Sequence, residues 1–103
     1  MKDQLSTADC AAKLKALADT DRLRLVQILR AGPRNVSELT AEMQTDIANV
    51  SHHLQILRRG GIVATEKRGR FVIYKLAALV FAATSDPTEH IDLGCCRLEL
   101  PRS

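Results

Sequence analysis

A mainly α-helical fold with one small β-hairpin, a winged helix-turn-helix, is predicted by three observations. Apolar residues recur at helical spacing from Cys10 to Leu57. Two of the resulting helices are separated only by Gln44-Thr45 and the capping Asp46, too short a connection to let them lie end to end, so they must cross. Beyond Gly61 the apolar period changes from helical to two. The chain has 103 residues, the size of one domain, and with 46% hydrophobic and 26% charged residues its composition is globular.

Taken in order, Ser6 or Thr7 caps a first helix running to about Ala18, with Cys10, Leu14 and Leu17 on one face. Asp19-Thr20 caps a second, in which Leu23, Val26, Ile28 and Leu29 keep the spacing until Gly32-Pro33 stops it. Val36 reads as a staple residue before a Ser37 cap, opening a short third helix to about Met43. Asp46 caps a fourth, whose Ile47, Val50, Leu54 and Leu57 form an apolar stripe that ends at Gly60-Gly61. Two strands follow, Ile62 to Lys67 and Phe71 to Leu76, joined by Arg68-Gly69-Arg70, where Gly69 can take positive φ. Residues 77–103 begin apolar and Ala-rich, break at Ser85-Asp86-Pro87 and end in a stretch holding His90, Cys95 and Cys96.

Composition removes several function classes. With two Phe, one Tyr and no Trp, the chain lacks the rings of a base-stacking platform for single strands. Its longest uncharged apolar run, Leu76 to Ser85, is half the roughly 20 residues that span a bilayer, and no secretory signal is visible, so the expected compartment is the cytoplasm. An odd count of three cysteines in a reducing compartment reads as thiols or metal ligands, not as a disulfide framework. The phosphate loop, the G-x-G-x-x-G turn and H-E-x-x-H are all missing, and no cysteine has the downstream arginine and helix of a phosphate-cradling loop, so no enzyme is expected.

The fourth helix is two-faced. With Val50, Leu54 and Leu57 inward, Ala48, His52, Gln55 and Arg59 cluster on the opposite side, small and hydrogen-bonding residues first and arginine last. That order suits a helix entering the major groove by its N-terminus. From Arg58 to Lys75 the chain carries six basic residues and one acid, Glu66, and Lys67, Arg68 and Arg70 concentrate at the hairpin tip. A cationic wing beside a polar helix face can lie along phosphates while the helix reads bases.

Four segments, Leu14 to Leu25, Val50-Ser51-His52-His53-Leu54, Leu57 to Val63 and Arg68 to Tyr74, resemble the ArsR/SmtB family of winged-helix metal-sensing repressors. The resemblance covers about residues 8 to 76. It implies a homodimer that sits on an inverted-repeat operator in double-stranded DNA, with no membrane role, and leaves when a thiophilic ion binds. Carried over position by position, DNA contacts fall on Ile47, Ala48, Ser51 and His52, to which the helix face and wing add Asn49, Gln55, Arg59, Lys67, Arg68 and Arg70. Residues 1–76 are then the DNA-binding domain, with the first helix at the dimer seam, and 77–103 a dimerisation and sensing segment. Ile47 and Ala48 stand where many members have Gln or Ser and cannot hydrogen-bond base edges. The family's Cys-Val-Cys-Asp metal box falls on Asn35-Val36-Ser37-Glu38, which has no thiolate.

The sensing thiols are therefore sought elsewhere. Cys95 and Cys96 are adjacent, too close at about 3.8 Å between Cα atoms for an unstrained mutual disulfide, yet able to bite one soft ion if Gly94 supplies a turn. Arg97 beside them favours thiolates. In the family the first helix meets the C-terminal segment at the dimer interface, so Cys10, from either chain, can add a third sulfur. Three thiolates suit trivalent arsenic or antimony first, with Cd, Zn, Pb or Cu(I) as other candidates, and His90 would complete a tetrahedral set. Against this stands plain packing: Cys10 shares an apolar stripe, and Ile91, Leu93, Leu98 and Leu100 give the tail its own apolar pattern. The alternative of the same fold is a repressor sensing oxidants or reactive sulfur through a disulfide from Cys10 to Cys95 or Cys96. His52-His53 lacks the i, i+4 spacing of a shared metal, and His53 is expected to be a helix-packing histidine.

Overall fold

The computed structural model describes residues 6–77 and 90–100. Four helices come first: α1 (Thr7–Leu17), α2 (Thr20–Arg30), α3 (Val36–Met43) and α4 (Ile47–Arg59). A short β1 (Arg34–Asn35) precedes α3, and β2 (Val63–Arg68), β3 (Phe71–Leu76), β4 (Ile91–Asp92) and β5 (Arg97–Leu98) follow. The Ala-rich stretch and the Ser85-Asp86-Pro87 break lie outside the described residues.

Each helix starts where a side chain satisfies its orphan N–H groups. Ser6 Oγ accepts from Asp9 N, Asp19 from Asp21 N and Arg22 N, and Asp46 from Asn49 N. The third cap differs from expectation: it is Asn35, not Ser37, because Asn35 and Glu38 form a reciprocal capping box, Asn35 Oδ1 accepting from Glu38 N and Glu38 Oε1 from Asn35 N. Gln44 then turns the chain with φ 56, the left-handed geometry that ends α3 and starts the crossing to α4.

The core is where the four helices meet β2 and β3. Leu25, Val26, Leu29, Leu39, Val50, Leu54, Leu57 and Ile62 are buried to 1% exposure or less. Each contributes on the order of 1.5–3 kcal/mol of transfer free energy. Ile47 and Leu14, counted in the apolar stripes, stand 53% and 39% exposed. The wing forms with β2 antiparallel to β3, Arg68 facing Phe71 across Gly69, whose φ is +61. The sheet has a third strand that the sequence did not suggest, β1 along the far edge of β3, with Arg34 opposite Tyr74.

The tail folds back. β4 and β5 pair antiparallel, Ile91 opposite Leu98, and Ile91 and Leu93 enter the core at 1% and 4% exposure. Leu98, Leu100, Cys95 and Cys96 pack against it. Gly94 turns the hairpin at φ +90, where its N–H donates to Asp92 Oδ1 and Leu93 N–H to Cys96 O, so the two cysteines ride on the turn.

Candidate functional site

Two surfaces gather the candidate residues. On α4, Ile47, Ala48, Ser51, His52, Gln55 and Arg59 are exposed, while Val50, Leu54 and Leu57 on the other side fix the helix to the core. The wing tip exposes Lys67, Arg68 and Arg70 beside it. Asn49 is different: its amide donates to Asp21 Oδ2 at 3.2 Å and to Thr45 Oγ1 at 3.4 Å, so it is engaged inside the protein. Part of the wing's charge is also engaged, because Glu66 accepts from Arg68 Nε at 2.7 Å and from Lys75 Nζ at 2.9 Å. Those two hydrogen bonds, Lys75 first, hold the Glu66 carboxyl down to about 2.

Beneath α4 lies an arrangement that the sequence reading missed. His53, 9% exposed, has Nδ1 3.2 Å from Arg22 Nη1 and 3.8 Å from Asp19 Oδ2, and Nε2 3.7 Å from Asp21 Oδ2. It is the helix-packing histidine expected, but held by two charged groups of α2, Asp21 and Arg22, and by the capping Asp19. Asp19 sits below the usual carboxylate range, mainly because Arg22 N–H donates to it, with the Arg22 charge and the Asp21 N–H adding. Asp19, Asp21 and His53 offer donors close enough for a metal, yet the Arg22 guanidinium already supplies the cation. The signal available in the sequence was the i, i+4 placement of Asn49 and His53 opposite Asp19 and Asp21.

The second site joins α1 to the tail. The Sγ atoms of Cys10, Cys95 and Cys96 lie within 4.8 Å of one another, all half-buried and all from one chain. The expectation of three thiols is corrected, and the alternative of a disulfide from Cys10 to Cys95 or Cys96 is met at Cys95: Cys10 and Cys95 form a disulfide, and Cys96 is free. The physical reason is the tail hairpin, whose docking brings the two Cα atoms to 6.0 Å, inside the span a disulfide bridges, across 85 residues of sequence. Cys96 Sγ is 4.0 Å from Cys95 Sγ. Once reduced, three sulfurs this close fit one thiophilic ion. His90 is not among the donors that converge there, although its Nε2 is buried with no hydrogen-bond partner among the described residues. Arg97 points its charge toward Asp92, Nε to Oδ2 3.8 Å, rather than serving the cysteines alone.

Known proteins decide what this architecture is. The helix-turn-helix domain family matches residues 17–66. The HTH-type transcriptional regulator NmtR of Mycobacterium tuberculosis is 34% identical over 96 residues, 89% of this chain and 80% of that one. The chain belongs to the ArsR/SmtB family. A solution structure from Mycobacterium bovis, described as a homodimeric winged helix-turn-helix DNA-binding domain and a possible ArsR-family regulator, superposes with TM-score 0.66 at 28% identity, covering 75% of this chain and 76% of that one. A crystal structure described as a "possible transcriptional regulator for arsenical resistance" is 38% identical with TM-score 0.59, over 62% of this chain and 67% of that one. As an ArsR/SmtB protein the chain is a winged helix-turn-helix DNA-binding transcriptional regulator, not an enzyme. No helix among its described residues is long and apolar enough to cross a membrane. In this ArsR/SmtB member Asn35 to Glu38, the place of the family's thiolate box, are spent on the capping box of α3.

Proposed function

We propose that the chain is a metal(loid)-responsive repressor. It binds an inverted-repeat operator as a homodimer through α4 and the β2–β3 wing, and releases it when Cys10, Cys95 and Cys96 capture arsenite or antimonite. The observation that carries this reading is the convergence of three sulfurs between α1 and the tail, in a chain of a DNA-binding family. Trivalent arsenic keeps a lone pair and takes three ligands, which matches a site of three thiols that His90 does not enter. The description of one solved structure, 38% identical, as a "possible transcriptional regulator for arsenical resistance" points the same way.

Capture exchanges three S–H bonds for three As–S bonds: arsenous acid loses three hydroxyls as water, using the three thiol protons. The Cys10–Cys95 disulfide must first take up two electrons and two protons from a dithiol reductant. Bound ion would then tie the tail to α1. Leu14, exposed on α1, and an open groove of about 330 Å³ lined by Ala12, Lys15, Ala16, Ile56, Arg59 and Gly60 put apolar surface on α1 where a second protomer can sit. A shift of α1 therefore changes the spacing of the two reading helices.

The test is a fluorescence anisotropy titration of the reduced protein on its operator, with arsenite, antimonite, cadmium, zinc, lead and copper(I) in turn. Arsenite or antimonite is expected to weaken binding about 5- to 150-fold, the usual range of such couplings. The double variant Cys95→Ser/Cys96→Ser is expected to bind DNA and stay bound. Release of that variant by the ion would overturn the site.

The disulfide favours a second reading, in which closing and opening of Cys10–Cys95 is itself the signal. Operator affinity measured after peroxide and after dithiothreitol, without any ion, separates the two.

A further inference from the structure

We infer that Arg22 is a positioning residue that relays the state of α1 to the reading helix α4. This rests on the proposed reading that events at the cysteines govern the grip on DNA.

Arg22 begins on α2 and touches both other helices. Its Nε donates to Ala16 O at 2.6 Å and its Nη2 to Lys15 O at 3.4 Å, carbonyls in the last turn of α1, the second of which also accepts from the capping Ala18 N–H. Its Nη1 reaches His53 Nδ1 at 3.2 Å in the middle of α4. The same fork that holds the end of α1 thus holds the buried side of α4. Since Nη1 can only donate, His53 Nδ1 accepts, and its Nε2–H faces Asp21. Asp21 in turn accepts from Asn49, one turn closer to the N-terminus of α4. The chain of contacts ends directly beneath Ala48, Ser51 and His52.

A second tie runs parallel. Lys13 Nζ donates to Gly60 O at 2.9 Å, holding the last turn of α4 to α1, and Ala16 lies so near that a Cβ on Gly60 would come within 2.9 Å of its own. Cys10 sits one turn before Lys13 on the same helix, bonded to the tail. Whatever the tail does to Cys10, α1 moves as a rigid rod, and its two grips on α4 move with it. The Lys13 grip is a single flexible ammonium, whereas Arg22 is a planar fork fixed at three points, Ala16 O, Lys15 O and His53 Nδ1. Only the second can transmit direction.

The test compares operator Kd with and without arsenite in the reduced protein, and oxidised against reduced without arsenite, for wild type and Arg22→Met. Arsenite uptake is followed separately by loss of thiols to alkylation. Arg22→Met is expected to take up arsenite as wild type does, while the ratio of the two Kd values falls to below about threefold from the roughly 5- to 150-fold of an intact coupling. A merely structural role would weaken DNA binding in both states alike and leave the ratio untouched, which would overturn the relay. His53→Gln, which keeps an acceptor near Arg22 but alters its geometry, is expected to give an intermediate ratio and serves if Arg22→Met melts too early. Should wild type ignore arsenite but answer to disulfide formation, the metalloid reading fails and the oxidised-to-reduced ratio judges the relay instead. A wild type that answers to neither has no signal for Arg22 to carry, and the inference falls.

Discussion

At the scale of single residues, the charges around α2's first turn do two jobs. Asp19 caps α2 through two backbone N–H groups and faces His53. Removing the cap with Asp19→Ala is expected to cost about 0.5–2 kcal/mol of stability, measured by urea unfolding. Asp19→Asn keeps a capping oxygen and loses only the charge, so it isolates the electrostatic part. Because the folded carboxyl lies below its ordinary 3.8, its charge stabilises fully above that value, and the benefit is lost as pH falls through the lowered folded value. The gap between wild type and Asp19→Asn should therefore be widest near neutrality and close on acidification below 3.8. A gap that widens with acid would mean that the carboxyl is destabilising. The role of His53 was only half legible for the same reason: a sequence shows that a histidine faces inward, but not which charges of another helix close around it.

At the scale of elements, the four helices and the wing were readable because each rests on local chemistry. Asp19, Asp46 and Ser6 cap where capping residues stand in the sequence, and the change of period after Gly61 marks the sheet. What escaped was long-range. β1 is only Arg34–Asn35 and exists through its pairing with β3, some forty residues later, so no periodicity announces it. The tail hairpin is likewise defined by docking Ile91 and Leu93 into a core built by the helices. Gly94 hinted at the turn, the apolar pattern at packing, and the three thiols allowed a disulfide from Cys10 to Cys95 or Cys96, but that Cys95 of the same chain is the partner is a fact of tertiary structure. Two further outcomes belong to this scale. Leu54→Ala, at a position with no exposure in the helix that must present the reading face, is expected to lose about 2–5 kcal/mol in a thermal or urea melt. In the wing, Glu66 holds Arg68 and Lys75 in internal pairs that persist well below neutral pH, being lost only as pH drops from 4.5 toward about 2. Glu66→Gln releases both cations toward phosphate. Operator affinity is expected to rise, and the log–log salt slope to steepen by about 0.9 for each phosphate newly neutralised. An unchanged slope would mean that the wing does not lie on the backbone.

At the scale of the whole molecule, the proposed reading helix and the three cysteines belong to one small protomer, whose extents are 38 × 25 × 24 Å. One protomer can bury one helix in one groove; discrimination of an inverted repeat needs two, set about 34 Å apart on the same side of the duplex. That geometry makes half-site spacing a sharp probe of the proposed dimer. Inserting about five base pairs between the half-sites rotates the second by half a helical turn, to the opposite side of the duplex, where a symmetric pair cannot reach it without twisting the DNA. Inserting about ten restores the facing but stretches the span by one turn. The reduced, ion-free protein is therefore expected to lose most of its affinity with five added pairs, down toward that of a single half-site. Titration by anisotropy at fixed salt is the measurement, since salt alone moves such affinities by orders of magnitude. Equal binding to the native and the five-pair operator would show that protomers engage DNA independently. The ion could then act only within one chain, through α1 and α4, and no change in the spacing of two helices could account for release.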